Sequence, residues 1–162
     1  MSRDVSAPGG RILVLDDEKL VLDTLRAVLD LDGTWSVSTF VDPARALVEV
    51  ERAHFDVVVS DFLMPSMDGL TFLARVRDLQ PLASRILLTG YADKENAIRS
   101  INEVGLYYYL EKPWDNAQLR MVLQNAAERS RLLRELDDKV EGLAAKDEAL
   151  AELRAQLFKA IL

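Results

Sequence analysis

The chain has no cysteine and only one histidine, His54. Without cysteine there are no disulfides and no thiolate metal sites, which fits a reducing, cytoplasmic compartment. A single histidine cannot build a histidine-rich metal centre. His54 lies between a helical and a strand pattern and reads as a surface residue. No apolar run approaches the roughly 20 residues that span a bilayer, so no membrane partner is expected. The opening MSRDVSAPGG lacks the apolar core of a secretion signal, and residues 1–10 read as a flexible lead-in. Positive charge is also in short supply. Twenty Lys and Arg against 27 Asp and Glu leave a net charge of -7, a poor basis for direct nucleic-acid binding. The last of the five prolines is Pro113.

What is present is a globular composition, 49% hydrophobic and 29% charged, in which short apolar runs alternate with helical patterns. Arg11 to Leu15 is a buried-strand run ending on acidic residues. Leu20, Val21, Thr24, Leu25, Val28 and Leu29 follow at helical spacing, with Gly33 as a stop. Trp35 to Phe40 alternates as a strand, and Asp42-Pro43 opens a second helix as N-cap and first turn. Phe55 to Asp61 is a third strand whose Val-Val-Val centre suits burial on both faces. The turn-rich segment Met64 to Gly69 leads into a third helix. Arg85 to Thr89 is a fourth strand, with Asp93 placed to cap the next helix. Tyr107 to Leu110 is the fifth, and Pro113 starts the last helix. Five strands alternating with five helices predict an α/β fold with a parallel sheet covered on both faces.

From Trp114 onward the helical pattern runs to the end of the chain. Its a positions are Leu133, Val140, Asp147, Arg154 and Ile161. Its d positions are Leu136, Leu143, Leu150 and Leu157. Leucine at every d position predicts a coiled coil compatible with a parallel homodimer. An unbroken helix over residues 114–162 would be about 73 Å long. Asp147 and Arg154 would weaken the seam, and Gly142 would cost about 1 kcal/mol of helix propensity.

The chemistry gathers at the strand ends. Ligands of such sheets sit outside the C-terminal strand edge. The first strand ends on Asp16-Asp17 and the third on Asp61. Two carboxylates about 4 Å apart repel by up to ~4 kcal/mol at an effective dielectric near 20, so the pocket needs a cation. Oxygen-only ligands favour Mg²⁺, with Mn²⁺ possible, and that suits phosphoryl chemistry on a carboxylate nucleophile. Thr89, ahead of Gly90, offers a hydroxyl to a phosphoryl oxygen, and Lys112 offers an ammonium. Pro113 after it raises the chance of a cis peptide. Each residue alone would be an ordinary strand-end or surface residue; their order on successive strands is what carries the meaning.

Asp16-Asp17, Asp61, Thr89 and Lys112-Pro113 in this order resemble the receiver domain of bacterial response regulators, over residues 11–128. The resemblance implies a flavodoxin-like (βα)5 fold with sheet order 2-1-3-4-5. It implies that Asp61 accepts a phosphoryl group from a histidine kinase, and that Asp16, Asp17, Asp61 and the Phe62 backbone carbonyl hold the metal. Thr89 and Tyr109 would be switch residues, Tyr109 rotating inward with Thr89. The stretches Leu88 to Asp93 and Tyr109 to Trp114 are similar to receivers preceding cyclic-di-GMP enzymes, especially HD-GYP phosphodiesterases, and to some that feed AAA+ regulators or kinase-like outputs. Residues 129–162 would then be a coiled-coil helix continuous with the last receiver helix, leading to an output domain beyond these residues. Leu63 and Tyr91 flank the route of water to the phosphoryl group, and neither is a base, so slow self-dephosphorylation is expected. The receiver reading makes the chain a switch and not an enzyme. Two alternatives are a standalone dimeric adaptor and a haloacid-dehalogenase-like phosphohydrolase. The latter needs an Asp where Leu63 stands.

Overall fold

The triplet Val57-Val58-Val59 has no exposed surface, because it forms the centre of a five-stranded parallel sheet. The computed structural model describes residues 8–90, 93–144 and 147–161. The strands are β1 (Gly10–Leu15), β2 (Trp35–Phe40), β3 (Val57–Asp61), β4 (Ser84–Thr89) and β5 (Tyr108–Glu111). They pair in the order β2-β1-β3-β4-β5, the flavodoxin-like arrangement. The helices are α1 (Lys19–Asp32), α2 (Pro43–Arg52), α3 (Gly69–Leu79), α4 (Lys94–Val104), α5 (Asn116–Ala144) and α6 (Glu148–Ile161).

Strand alternation sorts the core into two layers. Ile12, Val14, Val57, Val59, Ile86, Leu88 and Leu110 face α1 and α5, where Leu25, Leu29, Leu119 and Leu123 meet them. Leu13, Leu15, Val58 and Leu87 face the other way, toward Val50 of α2, Phe72 and Leu73 of α3 and Ala97 of α4. Burying one such side chain contributes about 1.5–3 kcal/mol.

Local signals set most helix ends. The Asp42 carboxylate accepts the Ala44 N–H at 3.0 Å. The Asp68 carboxylate accepts the Thr71 N–H at 2.8 Å. Gly33, at φ 63°, closes α1 in the left-handed region. Asp93 precedes α4 but makes no capping hydrogen bond through its side chain. The last receiver helix starts at Asn116, three residues later than Pro113 suggests, because the Asp115 carboxylate caps it by accepting the Ala117 N–H at 3.0 Å. Arg85 is 1% exposed. It ties the sheet to two loops by donating to the carbonyls of Gly105 (3.0 Å), Pro81 (3.1 Å) and Ala83 (3.2 Å).

The unbroken helix expected over residues 114–162 is not what forms. α5 does extend past residue 128, but it ends at Ala144, shortly after Gly142. Asp147 is not a seam residue. Its carboxylate accepts the Ala149 N–H at 2.9 Å and its carbonyl the Ala151 N–H at 3.2 Å, so it starts a new helix. α6 runs back along α5. Arg154, also expected in the seam, donates to the Asp137 carboxylate at 2.7 and 3.2 Å. Of the seam positions, Leu133, Val140, Leu150, Leu157 and Ile161 are half-buried within one chain, while Leu136 and Leu143 are exposed. The physical reason is that a stripe at helical spacing only needs apolar cover, and an antiparallel neighbour in the same chain supplies it. No helix among the described residues is long and apolar enough to cross a membrane.

Candidate phosphoacceptor site

β1, β3, β4 and β5 all end at one edge of the sheet, and each delivers a polar residue there. Asp16 follows β1 and is fully buried; Asp61 closes β3 at 8% exposure; Thr89 closes β4, also fully buried. Asp17 is exposed. Lys112 follows β5, and its backbone N–H donates to the Thr89 carbonyl at 2.7 Å. The Lys112–Pro113 peptide is cis.

The centre of the site is an ammonium between two carboxylates. Lys112 Nζ lies 2.9 Å from Asp16 Oδ2 and 3.0 Å from Asp61 Oδ1. Asp16 Oδ1 accepts the Glu18 N–H at 2.9 Å, which fixes the start of α1 to the pocket. Asp61 Oδ1 also accepts the Phe62 N–H at 3.0 Å. Burial pushes the Asp61 carboxyl above the ordinary aspartate range. The neighbouring Asp16 adds to this, and Lys112 and the Phe62 N–H oppose it. Burial alone would lower the Lys112 pKa, but its bonds to Asp16 and Asp61 outweigh burial and raise it.

Oxygens of Asp16, Asp17 and Asp61 lie within 4.8 Å of one another. This all-carboxylate set fits a hard divalent cation that keeps several waters. The Phe62 carbonyl expected alongside them accepts the Gly69 N–H at 2.7 Å. That bond belongs to the tight return of the β3–α3 loop, which a motif reading could not see.

The residues expected to act as the switch are placed as follows. Thr89 Oγ1 is buried and has no hydrogen-bond partner among the described residues. Tyr109 is half-buried against the α2/α3/α4 side of the core, and its ring stacks on Tyr108 with centroids 5.9 Å apart. Leu63 is 60% exposed beside the site. Tyr91 lies outside the described residues. Trp114 packs against the α1/α5 side of the core, and His54 sits at the other end of the sheet, 3.6 Å from Asp56.

Three residues escaped the sequence reading. Gly69 passes so close to β3 that a Cβ there would lie 1.9 Å from the Asp61 carbonyl oxygen. A glycine after an Asp N-cap was the visible signal. The buried Asp56 accepts the Arg11 N–H at 2.7 Å and contacts the Arg134 guanidinium on α5. Gln80 fastens the α2–β3 loop by accepting the Phe55 N–H at 2.9 Å and donating to the carbonyls of Val50 and Ala53, both at 2.7 Å.

Residues 12–124 match the family model of the response regulator receiver domain, and the chain belongs to that family. The hydrogenase transcriptional regulatory protein HoxA of Bradyrhizobium diazoefficiens is 37% identical over 128 residues, 79% of this chain and 26% of that protein. The transcriptional regulatory protein FixJ of the same species is 27% identical over 153 residues, 94% of this chain and 74% of FixJ. The chain thus spans about a quarter of the length of the HoxA relative. Among solved structures, the signal receiver domain of an HD domain-containing protein from Pseudomonas fluorescens Pf-5 superposes with a TM-score of 0.74 at 33% identity. That match covers 83% of this chain and 97% of the other.

Proposed function

We propose that this receiver takes a phosphoryl group on Asp61 from the phosphohistidine of a histidine kinase and converts it into a change of helix packing. The observation that carries the reading is the Lys112 ammonium held between Asp16 and Asp61. It is a positive charge fixed where a phosphoryl group on Asp61 would put its oxygens. Among the described residues Asp61 Oδ2 accepts no hydrogen bond, so one carboxylate oxygen is left to attack. In the transfer, the Asp61 oxygen–phosphorus bond forms as the phosphorus–nitrogen bond breaks, and the electron pair leaves with the imidazole.

Asp16, Asp17 and Asp61 would hold Mg²⁺ or Mn²⁺, which supplies charge neutralisation to the phosphoryl oxygens. Lys112 binds the same group from the β5 side. The unpartnered Thr89 hydroxyl gains an acceptor there. Its inward movement frees space for Tyr109 to follow, changing the face made by α4 and β5. The relatives carry different outputs, transcriptional regulators and an HD domain-containing protein among them. What they share with this chain is the receiver. The readout here would be association of a second copy along the heptad seam of the C-terminal helices, Leu133, Leu136, Val140, Leu143, Leu150, Leu157 and Ile161.

The test is incubation with a small-molecule phosphodonor and Mg²⁺, followed by intact-mass measurement. The wild type gains one acid-stable, base-labile phosphoryl group. Asp61→Asn and a chelator-treated sample gain none. Equal labelling of Asp61→Asn would remove the assignment.

A further inference from the structure

We propose that α6 is an intramolecular strap: folded back on α5, it occupies the seam through which a second copy would bind, and so holds the chain as a monomer. This rests on the reading above that the C-terminal helices are the dimer seam. The same apolar residues serve both states. Leu150, Leu157 and Ile161 fall on the heptad seam, and in the structure they are already half-buried against the chain's own α5. A helix of 14 residues is marginal alone in water, so α6 depends on that cover. One helix face cannot lie against α5 of its own chain and against a partner at once.

The charged residues decide which state the single chain prefers. In a parallel coil Asp147 and Arg154 would both sit at core a positions and face their own copies, a like-charge contact in the seam. In the hairpin both are satisfied. Asp147 caps α6, accepting the Ala149 N–H at 2.9 Å. Arg154 forms a two-pronged bond with Asp137 and lies 3.9 Å from Glu141. Its guanidinium also sits 5.2 Å from the Phe158 ring centre, which pins the latch to the far turn of α6. Phe158, Ala155 and Ala151 then border a groove of about 630 Å³ with His54, Gln80, Pro81 and Arg134. That is the end of the sheet opposite Asp61, where Arg134 contacts the buried Asp56. The groove thus lies between α6 and the lower end of the sheet.

The experiment uses the full chain. Arg154→Glu repels Asp137 and Glu141 in the hairpin but keeps one charge at the a position, leaving the coil equally burdened. Asp137→Arg with Arg154→Glu restores the latch in reverse. Spin labels at the exposed positions 135 and 159, in chains diluted with unlabelled protein, report whether α6 is folded back. Sedimentation equilibrium reports dimerisation. Wild type should show a short intramolecular distance. Arg154→Glu should lose it and dimerise roughly three- to tenfold more tightly, and the double variant should return to wild type. A short distance that survives Arg154→Glu overturns the strap. So does its loss with no gain in dimer.

Leu143→Asp, at a position exposed in the hairpin, tests the seam on its own. It should weaken the dimer of the Arg154→Glu chain and leave the wild-type distance intact. If it leaves that dimer unchanged, the dimer does not use this seam and the strap is overturned with it. The intact-mass assay on the same proteins reads Asp61 separately. Failure to label there removes the phosphorylation reading and leaves the strap standing.

Discussion

Gly69 and Asp61 approach so closely that a single added methyl at residue 69 would overlap the Asp61 carbonyl oxygen at 1.9 Å. The obstacle is backbone, which cannot rotate away like a side chain. The start of α3 and the end of β3 are thereby locked, and with them the position of Asp61. Gly69→Ala is expected to lower stability by about 1–3 kcal/mol and to slow phosphorylation of Asp61. Urea unfolding and the labelling rate check both. A variant matching wild type in both would show that the close approach is not needed.

Thr89 gives the opposite expectation. Its hydroxyl is buried without a partner among the described residues, so it has lost its hydration with no bond to offset the loss. Thr89→Val keeps the volume and removes the hydroxyl. Stability should be unchanged or rise by about 1 kcal/mol. Amide shifts near Tyr109 on adding beryllofluoride and Mg²⁺ should shrink. A clear loss of stability would mean the hydroxyl is bonded after all.

Asp56 predicts a pH dependence remote from the phosphate site. Burial pushes its carboxyl upward. The His54 side chain, the Arg11 N–H and Arg134 together outweigh burial and hold it below the usual aspartate value. A depressed folded value means stability present above the unfolded pKa of roughly 3.9 and lost as pH falls through the folded one. Asp56→Asn should therefore be about 2 kcal/mol less stable at neutral pH. The gap should narrow as pH is taken below roughly 4. Thermal unfolding across the acid range measures it, and a gap that stays constant with pH would be inconsistent with the ion pair.

Leu63 is 60% exposed beside Asp61 and has no group that can orient a water. Leu63→Asn should shorten the lifetime of the phosphorylated form, by several-fold for a positioned polar group. Decay is followed by intact mass after the phosphodonor is removed. Unchanged or slower decay would rule this role out.

Sheet and site were readable in the sequence because both follow short-range rules. Strand runs ended where the polar residues began, so Asp16, Asp61, Thr89 and Lys112 were placed by their own neighbours. The hydrogen bond from Gly69 to the Phe62 carbonyl was not legible, because it depends on where the loop returns seven residues later. The hairpin was hidden for a different reason. Leu150, Leu157 and Ile161 give the same stripe whether the cover is parallel or antiparallel, in another chain or in this one. Asp147 could have decided it, since an aspartate before Glu148 is an N-cap signal, but the heptad register absorbed it. The contact between Asp56 and Arg134 spans 78 positions, a separation at which no periodicity speaks.

β3 has a carboxylate at each pole, Asp61 in the reacting pocket and Asp56, one residue ahead of the strand, beneath α5. Five strand steps at about 3.3 Å put them roughly 17 Å apart. The strand between them is fully buried and bonded on both sides. The two ends are thus joined through the solid core. A close-packed core transmits small displacements, so a C-terminal helix grafted beneath β3 would have to match the core it rests on.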